Sequence, residues 1–324
     1  MPSTRRTPEQ MRKLIARKKW IMAYNHVGAA VDKKTGKVLY MESYGPERGF
    51  FIEGWRALHY PLTSKLVEKS WREGGYTLAL LHQGHSTLHI KPSLAPFGIS
   101  DCTVAGNKVQ IAFAGIGGAG VSVAYSRGAA EGVLYSDTLQ EGGGAKLGKC
   151  ILTLPKQHLL LVGVDDTDNA EEGATYALVH NLSVEAAALS NTQYSSHVNV
   201  QLYPYNEFKT RNCFATVVAF LYQSVAQKKQ IIDYFKTQLK IHTVSANTAM
   251  AVYDGFVFSD TYLDYAASLK FRFASDLDEL RQIATTEGIE LYPITGERGL
   301  FGALSALAFF DRPDYAAKLP THLA

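Results

Sequence analysis

A chain of 324 residues, 46% hydrophobic and 19% charged, can bury a large core, and its length suits two domains. Three thiols, Cys102, Cys150 and Cys213, show no paired spacing, which argues against a disulfide framework or a structural zinc site. No run reaches the ~18 apolar residues of a membrane helix, and the basic N-terminus lacks an apolar stretch for secretion, so the expected location is the cytoplasm.

The net charge of +3 hides a local excess: Arg5, Arg6, Arg12, Lys13, Arg17, Lys18 and Lys19 face only Glu9. Thr7 and Pro8 suit a helix cap and first turn, so 1–24 is predicted as a basic N-terminal helix with Met11, Leu14 and Ile15 on one stripe. Such a helix could touch RNA phosphates, but a solvated terminal helix is the favoured reading. Residues 25–155 follow as a glycine-rich domain. From its boundary onward, Trp20–Ala30 (which begins ahead of residue 25) and Val38–Tyr44 read as strands, Leu62–Arg72 as a helix stopped by Gly74-Gly75, and Tyr76–His82 with Thr87–Ile90 as a hairpin. Val109–Ala114 and Cys150–Leu154 read as strands, near glycine clusters at Gly115–Gly120 and Gly142–Gly148.

The third segment, 156–324, opens on His158–Val164, an apolar run with the length of a strand buried on both faces. A helix from Ala174 to Leu189, a strand over Val198–Tyr203 and helices over Asn212–Tyr222 and Lys229–Leu239 follow. Met250–Phe256 reads as a strand, Asp276–Glu287 as a helix and Gly302–Phe309 as a buried helix. The alternation predicts an α/β or α+β fold with two mixed-sheet domains.

Asp165, Asp166 and Asp168 crowd the end of the apolar strand. Two carboxylates about 4 Å apart repel by roughly 4 kcal/mol at an effective dielectric near 20. Three therefore call for protonation, basic partners or a cation, and oxygen-only ligands suit Mg²⁺. Thr167 lies among them, and Gly173 and Thr175 open a helix whose free N–H groups favour an anion. Lys209, Arg211 and Asn212 offer a basic counterpart at the start of the next expected helix. A cation site beside an anion site is what a Mg–nucleotide requires.

At these residues the chain resembles a known family. Gly163-Val-Asp-Asp-Thr-Asp168 with Glu172–Tyr176, then Lys209-Thr-Arg-Asn212, then Arg298–Ala306, are similar in order to segments of the archaeal tRNA(Ile) 2-agmatinylcytidine synthetases. Over nearly its whole length the chain resembles methanogenesis marker protein 11, through Ile90–Leu94, both glycine clusters and Tyr203-Pro-Tyr-Asn206. The synthetase family spends ATP to phosphorylate a cytosine carbonyl oxygen, which an amine then displaces. The resemblance implies ATP and Mg²⁺ as cofactors, a phosphoryl or adenylyl transfer to a carbonyl or amide oxygen, and Arg298 beside the nucleotide. The acceptor would be a small molecule or a modified residue. Neither the cysteine pairs of the synthetases' zinc ribbon nor their oligonucleotide-binding barrel is found, so RNA is the less favoured partner. A homo-oligomer is compatible with the sequence.

Other motifs carry weaker readings. Gly115-x-Gly117-x-x-Gly120 follows a strand and formally matches a dinucleotide fingerprint, which gives the alternative of a dinucleotide-dependent oxidoreductase. A non-catalytic nucleotide- or RNA-binding protein is a further alternative. Gly142–Gly144 with Lys146 and Lys149 could cradle phosphate shared with the ATP site. His82, His85 and His89 could converge on a metal, though exposed histidines on a polar face are favoured, and Cys213 at a helix start could be a nucleophile, though a buried small hydrophobe is favoured.

Overall fold

The computed structural model describes residues 4–45 and 50–319. Its chain divides into two compact units, Met1–Gln157 and His158–Ala324.

The first unit opens on β1 (Thr4–Arg6) and α1 (Pro8–Ile15), so the basic helix is shorter than expected. Thr7 and Gln10 close a capping box around its first turn, and Pro8 supplies the first helical position. Arg5 pairs with Asp137 at 2.9 Å and Arg12 donates to the Ala129 carbonyl, so part of the basic run is spent inside the fold. Strands β2 (His26–Val31) and β3 (Val38–Ser43) form a hairpin, and α2 (Phe50–Thr63) crosses to β4 (Val67–Glu73) and β5 (Tyr76–Leu81). Strand β4 lies where a helix was expected. Gly74 and Gly75, both at positive φ, form the two-residue turn of a β4–β5 hairpin and not a helix stop. These strands make a four-stranded sheet in the order β2-β3-β5-β4.

Next come β6 (Gly84–His85), β7 (Phe97–Ala105), β8 (Lys108–Gly115), α3 (Gly117–Val121), β9 (Tyr135–Gln140) and β10 (Gly148–Pro155). They build a six-stranded sheet, β1-β9-β10-β8-β7-β6. The expected hairpin over 76–90 is therefore split, because β5 pairs in one sheet and β6 in the other. The main core lies between the sheets, with Tyr40, Phe97, Ile111, Phe113 and Leu152 fully enclosed.

Strands β8, β9 and β10 pair antiparallel, so Gly115–Gly120 does not open a strand–helix–parallel-strand unit and the dinucleotide fingerprint has no structural counterpart. The glycines serve close packing instead. A Cβ on Gly142 or Gly148 would overlap the Gly120 carbonyl oxygen, and one on Gly120 would press on the Gly115 carbonyl. Lys146 sits in the adjoining turn, exchanging backbone hydrogen bonds with Gly143.

The second unit comprises β11 (His158–Asp165), α4 (Thr175–Ser190), β12 (Gln193–Gln201), β13 (Phe214–Tyr222), α5 (Val225–His242), β14 (Ala249–Asp254), α6 (Asp260–Ser268), α7 (Leu277–Glu287), β15 (Glu290–Pro293), α8 (Leu300–Leu307) and α9 (Pro313–Ala317). Its sheet, β12-β13-β11-β14-β15, is antiparallel throughout, and the whole chain is α+β. The segment expected as a helix over 212–222 is β13, beside central β11. Phe214-Ala-Thr-Val-Val-Ala-Phe-Leu-Tyr222 is rich in β-branched and aromatic residues, which suits a pleated surface better than a helix.

Two-residue periodicity sorts β11 by face. Leu160, Val162 and Val164 pack with Val179, Leu182 and Phe235 of α4 and α5. Gly163 lies so close to α8 that a Cβ would overlap the Ala303 carbonyl oxygen. Asp165, two residues on, shares that face and meets Gly302 of the same helix.

Candidate nucleotide site

Strand β11 ends by delivering three carboxylates to the mouth of one cavity of about 290 Å³, lined by residues of the second unit. Asp165 accepts from the Asp166 amide through Oδ1 at 2.8 Å. Its other oxygen rests against Gly302 in the first turn of α8, where a side chain would displace it. Burial pushes the Asp165 carboxyl well above the usual range, and repulsion from Asp166 and Asp168 adds to it. Burial likewise raises Asp168, which accepts from the Thr210 side chain.

Asp166 has a different role. Its φ of 60° turns the chain sharply, a conformation that aspartate tolerates better than most residues. Both of its oxygens are engaged: Ser245 Oγ donates to Oδ1 at 2.7 Å and Arg298 Nε donates to Oδ2 at 2.9 Å. Thr248 Oγ1 donates to its backbone carbonyl at 2.6 Å. Asp166 therefore clamps Arg298 and ties β11 to the loop before β14. Among the described residues no three His, Cys, Asp or Glu side chains converge as a metal cage, and Asp166, with both oxygens engaged, differs from Asp165 and Asp168.

Thr167 is buried and donates through Oγ1 to Thr175 Oγ1 at 2.9 Å, fixing the start of α4 beside the aspartate turn. Gly173 passes so close to Asp168 that its Cβ would crowd that residue. No side chain caps α4, since its cap position is Ala174, and the N–H groups of its first turn stay open to an acceptor.

The basic loop contributes unevenly. Lys209, whose Nζ donates to the Pro204 carbonyl, and Asn212 both line the cavity. Arg211 is exposed and not among the lining residues. Because β13 replaces the expected helix, there is no helix dipole at Cys213, and burial raises that thiol to about 11, which counts against the nucleophile alternative. Arg272 and the rings of Phe208 and Phe273, 5.7 Å apart, also line the cavity. Arg298 lies over the Phe208 ring at 5.3 Å. The alternation Phe271-Arg-Phe273 was the sequence signal for this wall, and sequence reasoning passed over it.

Elsewhere, His82 pairs with Glu68 and His85 with Asp101, in different sheets, so the histidines do not converge. Among the described residues no helix is long and apolar enough to cross a membrane.

The family model of the TiaS TCKD domain matches residues 161–239, which include the aspartate turn and the start of α4. Among solved structures, the chain is similar to a tRNA fluorescent labeling enzyme at 21% identity, covering 46% of this chain and 36% of that one, with a TM-score of 0.41. It is also similar to TiaS in its complex with tRNA and ATP at 20% identity, covering 47% and 36%, with a TM-score of 0.38. The chain thus spans little more than a third of either protein. Uncharacterized protein MJ0921 of Methanocaldococcus jannaschii is 34% identical over 296 residues, 91% of this chain and 97% of that one. With a TiaS-like second half and identity of that extent, this chain belongs to the family of MJ0921.

Proposed function

We propose that the second unit is the ATP-using part of a ligase- or transferase-type enzyme that activates an acceptor oxygen by phosphoryl or adenylyl transfer. The observation that carries this reading is the pair Asp165 and Asp168, both raised by burial, in one cavity with Lys209, Arg272 and Arg298. A carboxylate held that way gains more from a cation than one in water does. The donor set fits Mg²⁺, which takes one or two carboxylates and completes its shell with phosphate oxygens and water. Asp165 and Asp168 would hold the ion, and Asp166 would act through Arg298. Bound there, Mg²⁺ would neutralise charge on the phosphates.

The remaining groups divide the work. Arg298, held by Asp166, and Lys209 face the phosphates, with Asn212 as a hydrogen-bonding neighbour. The open N–H groups after Gly173 and at Thr175 give further anion donors. Phe208 and Phe273 offer a wall on which a base can stack. Arg211 falls outside this arrangement and Arg272 takes its place. Lys146 belongs to the first unit and is not among the residues lining this cavity.

The solved structures compared above are named for tRNA and, in one complex, for ATP. RNA therefore stands beside a small-molecule or modified-residue acceptor among the substrates to assay, and the lower rank given to it from sequence is withdrawn. Calorimetric titration with Mg²⁺ and a nonhydrolysable ATP analogue should give one site per chain that is lost in chelator. Asp168→Asn should weaken it about 10–100-fold. Unchanged nucleotide affinity in that variant would refute the assignment.

A further inference from the structure

Glu42, fully buried in the first unit, is the centre of a polar cluster that leaves one guanidinium without a hydrogen-bond partner among the described residues. Arg127 donates to it through Nε at 2.7 Å and Nη2 at 3.2 Å. Tyr40 and Tyr60 each donate a hydroxyl to it at 2.7 Å. A carboxylate offers about four acceptor sites, and these four donors use them. Arg127 also donates to Ser122 Oγ at 3.1 Å and Tyr60 Oη at 3.0 Å, so each of its nitrogens has an acceptor.

Arg56 is the remainder. It is only 2% exposed, yet among the described residues Nε, Nη1 and Nη2 all lack a hydrogen-bond partner, and its approach to Glu42 is 3.4 Å. Its guanidinium lies against the rings of Tyr24 at 4.7 Å and Tyr44 at 4.8 Å. Glu53 is the other nearby carboxylate; burial raises it, the charge of Arg56 works against that shift, and its Oε1 is also without a hydrogen-bond partner among the described residues. A guanidinium cannot discharge its positive charge by losing a proton. Five donors buried without acceptors is a costly arrangement unless something else supplies them.

The space for that acceptor is present. Arg56 lines a cavity of about 110 Å³ together with Tyr24, Tyr44, Trp55, Phe97 and Ser122. Trp55, Gly118 and Ala119 border both this cavity and a larger hollow of about 550 Å³. Gly118 stands in the wall with open space where a Cβ would be.

We propose that the first unit binds a small oxyanion on Arg56, and that its aromatic walls suit an organic carboxylate with a flat apolar body. The planar fork of the guanidinium matches a carboxylate with two parallel hydrogen bonds. The lining residues of this site all belong to the first unit and none of them lines the nucleotide cavity.

Calorimetry and thermal unfolding of the full-length protein with benzoate, acetate, inorganic phosphate and a chloride control at equal ionic strength would test this. Benzoate should bind with one site per chain and raise the melting temperature as ligand exceeds its dissociation constant. Arg56→Met should weaken binding about 10–100-fold, as expected for charge-assisted hydrogen bonds. It should not lower the melting temperature of the ligand-free protein, because Glu42 keeps all four donors. Gly118→Val should block the cavity from the opposite wall with the charge intact, which keeps the proposal testable if Arg56→Met misfolds. Arg298→Gln should bind benzoate like the unmodified protein. Phosphate binding lost in both first-unit variants would support the same site with a phosphate source. No binding by any probe, or binding that both variants retain, would overturn it.

Discussion

Asp165→Asn should make the metal-free protein more stable and at the same time remove the ATP-dependent activity proposed for it. Asparagine keeps the oxygen that accepts from the Asp166 amide and the shape that fits against Gly302. It removes the charge that burial, Asp166 and Asp168 all disfavour. Because the folded-state pKa lies above the unfolded value of about 3.9, the folded protein holds the proton more tightly. The stability this contributes is fully present below pH ~4 and is lost as pH rises through the folded value. At pH 7 the variant should therefore melt higher by on the order of 1 kcal/mol, the scale of stabilising substitutions at functional sites. That gain should shrink toward zero as pH falls to about 4. Saturating Mg²⁺ with nucleotide should raise the unmodified protein's melting temperature and leave the variant's unmoved. Turnover should fall about 10²–10³-fold, as when an electrostatic contact to developing charge is deleted. A variant less stable at pH 7, with its response to Mg²⁺ intact, would remove Asp165 from the metal site.

Much of the second unit could be read from sequence because its signals are local. The apolar run of β11, the small residues of α8 and the caps of α5 and α7 are each set by neighbours within a few positions. Strands β13 and β4 were expected as helices because the local pattern does not separate strand from helix. Strand β13 is covered on both faces, so Phe214–Tyr222 shows no alternation, and length alone does not separate such a run from a buried helix. In β4, Val67 and Trp71 fall at a spacing of four, which suits a helix face as well as one face of a strand. Only the hairpin turn at Gly74-Gly75 separates the two. Asp165, Asp166 and Asp168 stood out because like charges crowded in sequence must be crowded in space. Their unequal roles were not legible. Ser245, Thr248 and Arg298 reach Asp166 from segments roughly eighty and more residues away, and nothing local encodes those contacts. Arg56 was equally silent, since its lack of acceptors depends on how Tyr40, Tyr60 and Arg127 fill Glu42.

Gly142→Ala separates packing from ligand binding in the glycine-rich loops. A phosphate cradle would place Gly142 beside an anion, and alanine there would reduce nucleotide affinity with little effect on folding. In the structure its Cα instead faces the Gly120 carbonyl, with Gly148 alongside, and Gly117 donates to the Gly144 carbonyl at 3.0 Å. The obstructing atoms are backbone on every side, so no rotamer change relieves the overlap and two segments of chain must separate. That cost should reach about 3 kcal/mol, the upper part of the range for overpacking. For a unit of this size it corresponds to a melting temperature lower by roughly 10 °C. Titrated below that transition, the folded variant should bind Mg²⁺ and the ATP analogue as the unmodified protein does, because the residues assigned to the nucleotide all belong to the second unit. The opposite pair of results, an unchanged melting temperature with weakened nucleotide binding, would return Gly142–Gly148 and Lys146 to the phosphate site.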